Sequence, residues 1–191
     1  MVQRCSWLSH YPVDALMTQY HDEEWGNPQD ETDQDLFEML SLEIFQAGLN
    51  WRIVLHKRLN LRQAFHQFDI GRVADMTADE VELLLQDTGI IRNRMKIEAT
   101  VHNATCIQSI QETFGSFSNY IWHFTQGSVV NHQVTDYNAI AAKDALSERV
   151  AKDMKKRGFK FTGPVTIYAF LQSIGIINDH EVGCDFNPDN A

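Results

Sequence analysis

Apolar positions along the chain recur at three- and four-residue intervals, and alternating β-branched runs are scarce. That pattern predicts helices. Thr32 stands three residues before Asp35, a capping-box signature, and opens a helix to about Leu49. A second helix runs from about Trp51 to His66. Thr77 and Glu80 form another capping box, ahead of a helix with Val81, Leu84 and Leu85 on one face. The turn "DTGIIRN" leads into a helix through about Glu112, and "NYIWHF" makes a short one. Asp144 to Arg157 is helical and stops at Gly158, a natural left-handed C-cap. Pro164 to Ile174 is an apolar helix ending at Gly175. The expectation is an all-α protein, a single unit over residues 1–191 with no internal repeat, low-complexity run or long linker.

One position breaks the pattern. In "LFEMLSLEIFQAGLNW", at 100° per residue, Leu36, Met39, Leu40 and Ala47 share a stripe. Glu43 falls in its middle, and Glu38 points to the opposite side. An ionised carboxylate facing a core is costly unless it is paired or functional. A structural ion pair with Arg92 or Arg94 is one explanation. A functional site is the other, favoured by the aromatics and amides nearby: Gln46, Trp51, Tyr20 and Trp25. A carboxylate among Tyr and Trp suits a flat, electron-poor or cationic ring, which aromatic faces attract and whose N–H groups the carboxylate accepts.

The stretch "LLLQDTGIIRNRMKI" sets a tight turn at Gly89 between two helices, the second opening with Arg92, Arg94 and Lys96. This reads as a helix-hairpin-helix over about residues 78–113. Exposed N–H groups at the start of its second helix suit a phosphate, and such a module grips the DNA backbone without reading sequence. Any αα-hairpin has a similar turn; the basic residues tilt the reading toward DNA.

Charge changes the picture little. The formal net charge is −10, which argues against indiscriminate nucleic-acid binding. Yet the basic residues cluster, at Arg52, Lys57, Arg58 and Arg62, at Arg92, Arg94 and Lys96, and at Lys152, Lys155, Lys156, Arg157 and Lys160, so a local basic face can coexist with an acidic remainder. For any single cluster a solvated helix face is the plainer account. No apolar run is long enough to span a membrane, and "MVQRCSWLSHYP" lacks the apolar core of a signal peptide, so a soluble, cytoplasmic protein is expected.

Three widely separated cysteines are no disulfide framework. Near the C-terminus, however, "INDHEVGC" holds His180 and Cys184 with three residues between them, a spacing that supplies two zinc ligands from one turn. Cys5 and His21, in a polar N-terminal segment read as irregular, are the best candidates for the other two. Cys106 sits among Ile107 and Ile110 as a core thiol. The alternative is a surface His and an inert thiol. Four such ligands would fill a tetrahedral zinc, leave no position for water, and make it a structural clasp between residues 1–30 and 176–191.

Taken in order, "RCSW", "YHDEEWGNP", "LFEMLSLE" with "QAGLNW", "GIIRNR", "KKRGFKF" and "NDHEVGC" resemble the 3-methyladenine DNA glycosylase I family of the helix-hairpin-helix superfamily, over nearly the whole chain. The resemblance implies an all-helical fold with structural zinc on Cys5, His21, His180 and Cys184. It implies a lesion-base pocket lined by Glu43, Tyr20, Trp25 and Trp51, and a segment with Gly48 and Leu49 that approaches the DNA where the base leaves the stack. Met17 stands where the family often has Tyr, Ile44 where it usually has Gly, Asn50 where it usually has Ser, and Met95 where it commonly has Gly or Leu. These departures bear on pocket size and stacking.

The implied activity is removal of 3-methyladenine from double-stranded DNA by a monomeric enzyme. Methylation at N3 makes the nucleoside cationic and the base a good leaving group, so recognition is needed more than acid catalysis. No Asp occurs between Asp87 and Asp136, and no Lys between Arg62 and Arg92, so a monofunctional enzyme without lyase activity is expected. The rival readings are a non-catalytic, zinc-stabilised DNA-damage-binding module and a zinc hydrolase with an open metal position.

Overall fold

Helices begin where a short polar side chain can take up a free backbone N–H. In the computed structural model, which describes residues 2–28 and 32–190, the Asp14 carboxylate accepts from Met17 N–H at the start of α1 (Ala15–Glu23). Thr32 and Asp35 form a capping box on α2 (Asp33–Gln46). Asn50 caps α3 (Trp51–Ala64) and Asp69 caps α4 (Ile70–Ala74). Thr77 and Glu80 box α5 (Ala78–Leu84). Asn93 opens α6 (Arg94–Phe114), Ser116 opens α7 (Phe117–Trp122), and Asp144 with Ser147 boxes α8 (Ala145–Lys156). The last helix, α9 (Pro164–Ser173), starts on Gly163 with Pro at its first turn and no side-chain cap. Residues 29–31, in the acidic stretch before α2, and residues 1 and 191, at the ends assigned to the metal clasp, lie outside the described residues.

Three features differ from the sequence expectation. The N-terminal segment is helical as α1, so His21 is held on a helix. The α2 helix ends at Gln46, because the chain turns through Gly48 at φ +78°. A parallel pair of two-residue strands, β1 (Val130–Asn131) and β2 (Ile177–Asn178), joins Val130 to Ile177 and carries the chain directly into His180.

The core is built around α2, against which α3, α6, α7 and α9 pack. Every residue from Leu36 to Phe45 is buried, so this helix has no solvent face. Each fully buried Leu, Ile or Phe side chain contributes about 1.5–3 kcal/mol. Glu38 is therefore buried too, and its side of α2 is an ion-pair layer: Arg58 Nε reaches it at 2.5 Å and Arg62 Nε at 2.8 Å. The other basic residues of α3 are equally engaged. Arg52 pairs with Asp14 at 2.5 Å, and Lys57 Nζ donates to Gly89 O at 2.9 Å. Among the described residues no helix is long and apolar enough to cross a membrane.

Candidate active site and metal centre

The chain ends meet at four buried side chains, Cys5, His21, His180 and Cys184, whose ligand atoms all lie within 4.8 Å of one another. Cys5 Sγ is 3.4 Å from His180 Nδ1, Cys184 Sγ is 3.5 Å from the same nitrogen, and Cys184 Sγ is 3.7 Å from His21 Nε2. A tetrahedral zinc with its usual sulfur and nitrogen bond lengths requires about 3.6 Å between such donors. The donor set fits that ion. The hydrogen bond from the Cys5 thiol, opposed by burial and reinforced by His180 and His21, holds Cys184 well below the usual thiol range, toward the ligating thiolate. The remaining ring nitrogens are oriented from outside, as metal-binding imidazoles require. His21 Nδ1 meets Asp22 Oδ1 at 2.7 Å, and Asp22 is itself gripped by Arg4 at 2.7 Å. His180 Nε2 donates to the carbonyl of Trp25 at 2.8 Å. Gly26 makes this approach feasible: its φ is +71°, and a Cβ there would stand 2.7 Å from His180 Cδ2.

Trp25 also belongs to the wall of a cavity of about 350 Å³, a size suited to a small ligand. Its lining comes from Trp7, His10 and Tyr11, from Met17, Tyr20 and Trp25, from Glu43 and Gln46 of α2, from Leu49, Asn50 and Trp51, and from Tyr137, Ala169 and Gln172. Tyr20 and Trp51 lie 5.1 Å apart between ring centres, and Trp7 meets Trp25 edge-on at 5.4 Å. Glu43 is buried in this wall, with no hydrogen bond or ion pair to any described residue, and burial pushes its carboxyl up to about 8. It is not the partner of Arg92 or Arg94. Among the described residues two buried side-chain polar atoms lack a partner, Trp7 Nε1 and Trp51 Nε1, and both residues line the cavity.

Tyr20, Trp25, Trp51, Gln46 and Glu43 thus come together from three separate segments. Leu49 lines the cavity and is 39% exposed, and Gly48 beside it is also exposed. Asn50 caps α3 and accepts from Tyr11 Oη at 3.2 Å. Met17 lines the cavity, whereas Ile44 does not and packs wholly into the core. Trp7, Tyr11, Tyr137 and Gln172 were not singled out as site residues from the sequence. Trp7 had a usable signal, two residues after a metal-ligand candidate; Tyr137 and Gln172 had none.

The α5–α6 turn is more occupied than its sequence promised. Gly89 N–H donates to Asp87 Oδ1 at 2.7 Å, and Gly89 O accepts from Lys57 and from Asn60 Nδ2 at 3.1 Å. Arg94 pairs with Glu82 at 2.7 Å and Glu98 at 3.5 Å. Lys96 is buried, and its ammonium donates to Phe45 O at 2.8 Å and Ala47 O at 2.6 Å, closing the last carbonyls of α2; burial lowers its pKa. Arg92 is exposed and forms no ion pair with the described residues.

A second basic turn, between α8 and α9, has free charge. Lys152, Lys155 and Lys160 line a groove of about 670 Å³ with Phe159 and Phe161, and none of the three pairs with an acid among the described residues. Its backbone is anchored to α6: Lys160 N–H donates to Asn103 Oδ1 at 2.8 Å, and Lys160 O accepts from Asn103 Nδ2 at 3.1 Å. Phe161 holds a left-handed φ of +58° and is 38% exposed. From this turn α9 runs past a hollow lined by Val165, Thr166, Ala47 and Gly48, and its Ala169 and Gln172 line both that hollow and the cavity.

With an aromatic cavity around a buried acid and a Cys2His2 cluster beside it in view, the chain can be set against known proteins. Residues 7–188 match the methyladenine glycosylase family. The chain is 43% identical over 189 residues to DNA-3-methyladenine glycosylase 1 of Escherichia coli (strain K12), covering 99% of each. A crystal structure of 3-methyladenine DNA glycosylase I superposes with a TM-score of 0.92 at 45% identity, covering 97% of this chain and 100% of that one. A variant of 3-methyladenine DNA glycosylase I solved in complex with 3-methyladenine gives 0.89 at 34% identity, covering 92% and 94%. The chain belongs to the methyladenine glycosylase family.

Proposed function

We propose that this protein is a DNA-repair glycosylase that takes 3-methyladenine out of alkylated double-stranded DNA and hydrolyses its N-glycosidic bond, leaving an abasic site. The observation that carries the reading is Glu43: a buried carboxyl with no partner among the described residues, in the wall of an aromatic cavity of purine-accommodating size. The relatives' names, and the 3-methyladenine held by one of them, support the choice of base.

The target nucleotide leaves the stack to reach the cavity. Tyr20, Trp25 and Trp51 surround the ring, whose positive charge favours their faces. Glu43, protonated in the free protein near neutral pH, ionises as the cation enters and accepts from the base edge; Gln46 adds a polar contact at the rim. The partnerless indole N–H groups of Trp7 and Trp51 suit ring nitrogens that accept. The bond from C1′ to N9 then breaks with its electron pair going to the base, and water adds to C1′ and loses a proton. The ionised Glu43 stabilises the positive sugar in that step. The absence of any Lys from the cavity lining, and the engagement of Lys96 with two carbonyls, favour a monofunctional enzyme over one with a Schiff-base lyase step.

The metal on Cys5, His21, His180 and Cys184 is proposed to be zinc in a structural role, tying the chain ends together and, through His180, fixing the backbone of Trp25. For the DNA face, Gly48 and Leu49 sit where the strand would part, and the α8–α9 turn with Lys152, Lys155 and Lys160 is the better-placed phosphate grip; Arg92 adds to it, while Gly89 and Arg94 are held by neighbours. A monomer acting on DNA in the bacterial cytoplasm accords with this picture.

The test is release of free base from methylated DNA by the purified protein. Free 3-methyladenine among the products, lost in Glu43→Gln, is the expected result. DNA binding without base release would favour a damage-binding module. A cobalt-substituted protein with a bound water would favour a zinc hydrolase.

A further inference from the structure

The cavity wall contains an amide whose orientation is set from behind. Gln172, in the last turn of α9, donates from Nε2 to Asp179 Oδ2 at 2.6 Å. Asp179 is fully buried. The same oxygen accepts from Tyr168 Oη at 2.6 Å, and the other, Oδ1, meets His132 Nδ1 at 2.7 Å. A carboxylate in this setting is an acceptor, so it faces the donor half of the amide. The carbonyl half, Oε1, is turned away from Asp179, has no partner among the described residues, and is not sealed in the interior.

Because Gln172 lines the cavity, we infer that its Oε1 accepts a hydrogen bond from the exocyclic amino group of a bound 6-aminopurine, with Asp179 as the positioning residue that keeps Oε1 turned that way. The inference rests on the glycosylase reading of the same cavity and adds the determinant of its selectivity. A 6-oxopurine would bring a carbonyl oxygen against Oε1, two acceptors face to face. A site built to accept from a substrate N–H discriminates against the analogue that lacks it. Asp179 thereby separates amino from oxo purines without touching either.

The experiment measures binding of two free bases, 3-methyladenine and its 6-oxo counterpart 3-methylhypoxanthine, by calorimetry, to the wild-type protein, Gln172→Met and Asp179→Asn. Met keeps the length of the side chain and removes the strong acceptor. Gln172→Met is expected to weaken 3-methyladenine about tenfold while changing 3-methylhypoxanthine less than about twofold. In Asp179→Asn the new amide can donate to Oε1, freeing the Gln172 NH₂ to turn inward, so the preference for the amino base falls by about tenfold or more. Should Asp179→Asn fail to fold, Gln172→Met decides alone, since Gln172 is only half-buried. Equal loss of both bases in Gln172→Met, or no loss of either, overturns the inference and leaves the glycosylase reading intact. A wild-type protein that binds neither base and releases no 3-methyladenine from methylated DNA overturns both.

Discussion

Replacing Glu43 by Gln turns a buried acid into a neutral amide of nearly the same shape, and its consequence for stability can be worked out. Burial raises the carboxyl from 4.5 to about 8, with no cation among the described residues to offset it. Between those values the folded protein holds a proton that the unfolded chain has lost. Stability therefore falls as pH rises, by about 1.4 kcal/mol per pH unit, and is greatest below 4.5. Accumulated up to about pH 8 the loss is on the order of 5 kcal/mol, about 3 of it present at pH 7. That is a large share of a typical domain's stability, about 5–15 kcal/mol. The Glu43→Gln variant has no such slope. In urea unfolding at pH 5, 6, 7 and 8, the two proteins should nearly coincide at pH 5, and the variant should become progressively more stable toward pH 8 while losing base release. Parallel stability curves would refute the claim that Glu43 is an unpaired acid kept in the cavity for function.

Other outcomes follow from the same geometry. Metal analysis should find one zinc per chain, and its removal, or Cys184→Ser, should lower the melting temperature and shift Trp fluorescence because His180 no longer holds the Trp25 carbonyl; unchanged fluorescence would separate the clasp from the cavity. Reversing Lys155 and Lys160 to Glu should weaken DNA binding and flatten the slope of log affinity against log salt by about 2, whereas Arg94→Glu should alter it less; the opposite ranking, read by fluorescence anisotropy, would return the DNA contact to the α5–α6 turn. Glu38→Gln should destabilise the fold by about 3 kcal/mol, because Arg62 loses its partner at the buried side of α2 and Arg58 keeps only Glu24; a change within experimental error in urea unfolding would count against the ion-pair layer.

The sequence by itself determined most of the helices, because their signals are local, though not α1 or α4. Thr32 with Asp35, Thr77 with Glu80, and Asp144 each mark a start through a hydrogen bond within one turn, and the capping bonds are formed at all three. It also singled out Glu43, since a charge inside an apolar stripe is visible without coordinates, and it named Cys5 and His21 as the best partners for His180 and Cys184 from ligand type and a polar N-terminal setting, the full set of four being what the family resemblance implied. What it misjudged were matters of partnership. Lys96 looked like part of a basic face and instead closes the end of α2. Glu38 was read as lying opposite the apolar stripe, and that side is buried against two arginines, since periodicity on one helix cannot register a neighbour that covers its other side. Tertiary structure alone decided which residues complete the cavity. Trp7, Tyr137 and Gln172 reach Glu43 from opposite ends of the chain, through the crossing of α2 with α9 and the junction of the termini, and such encounters depend on how helices pack and not on any pattern within them.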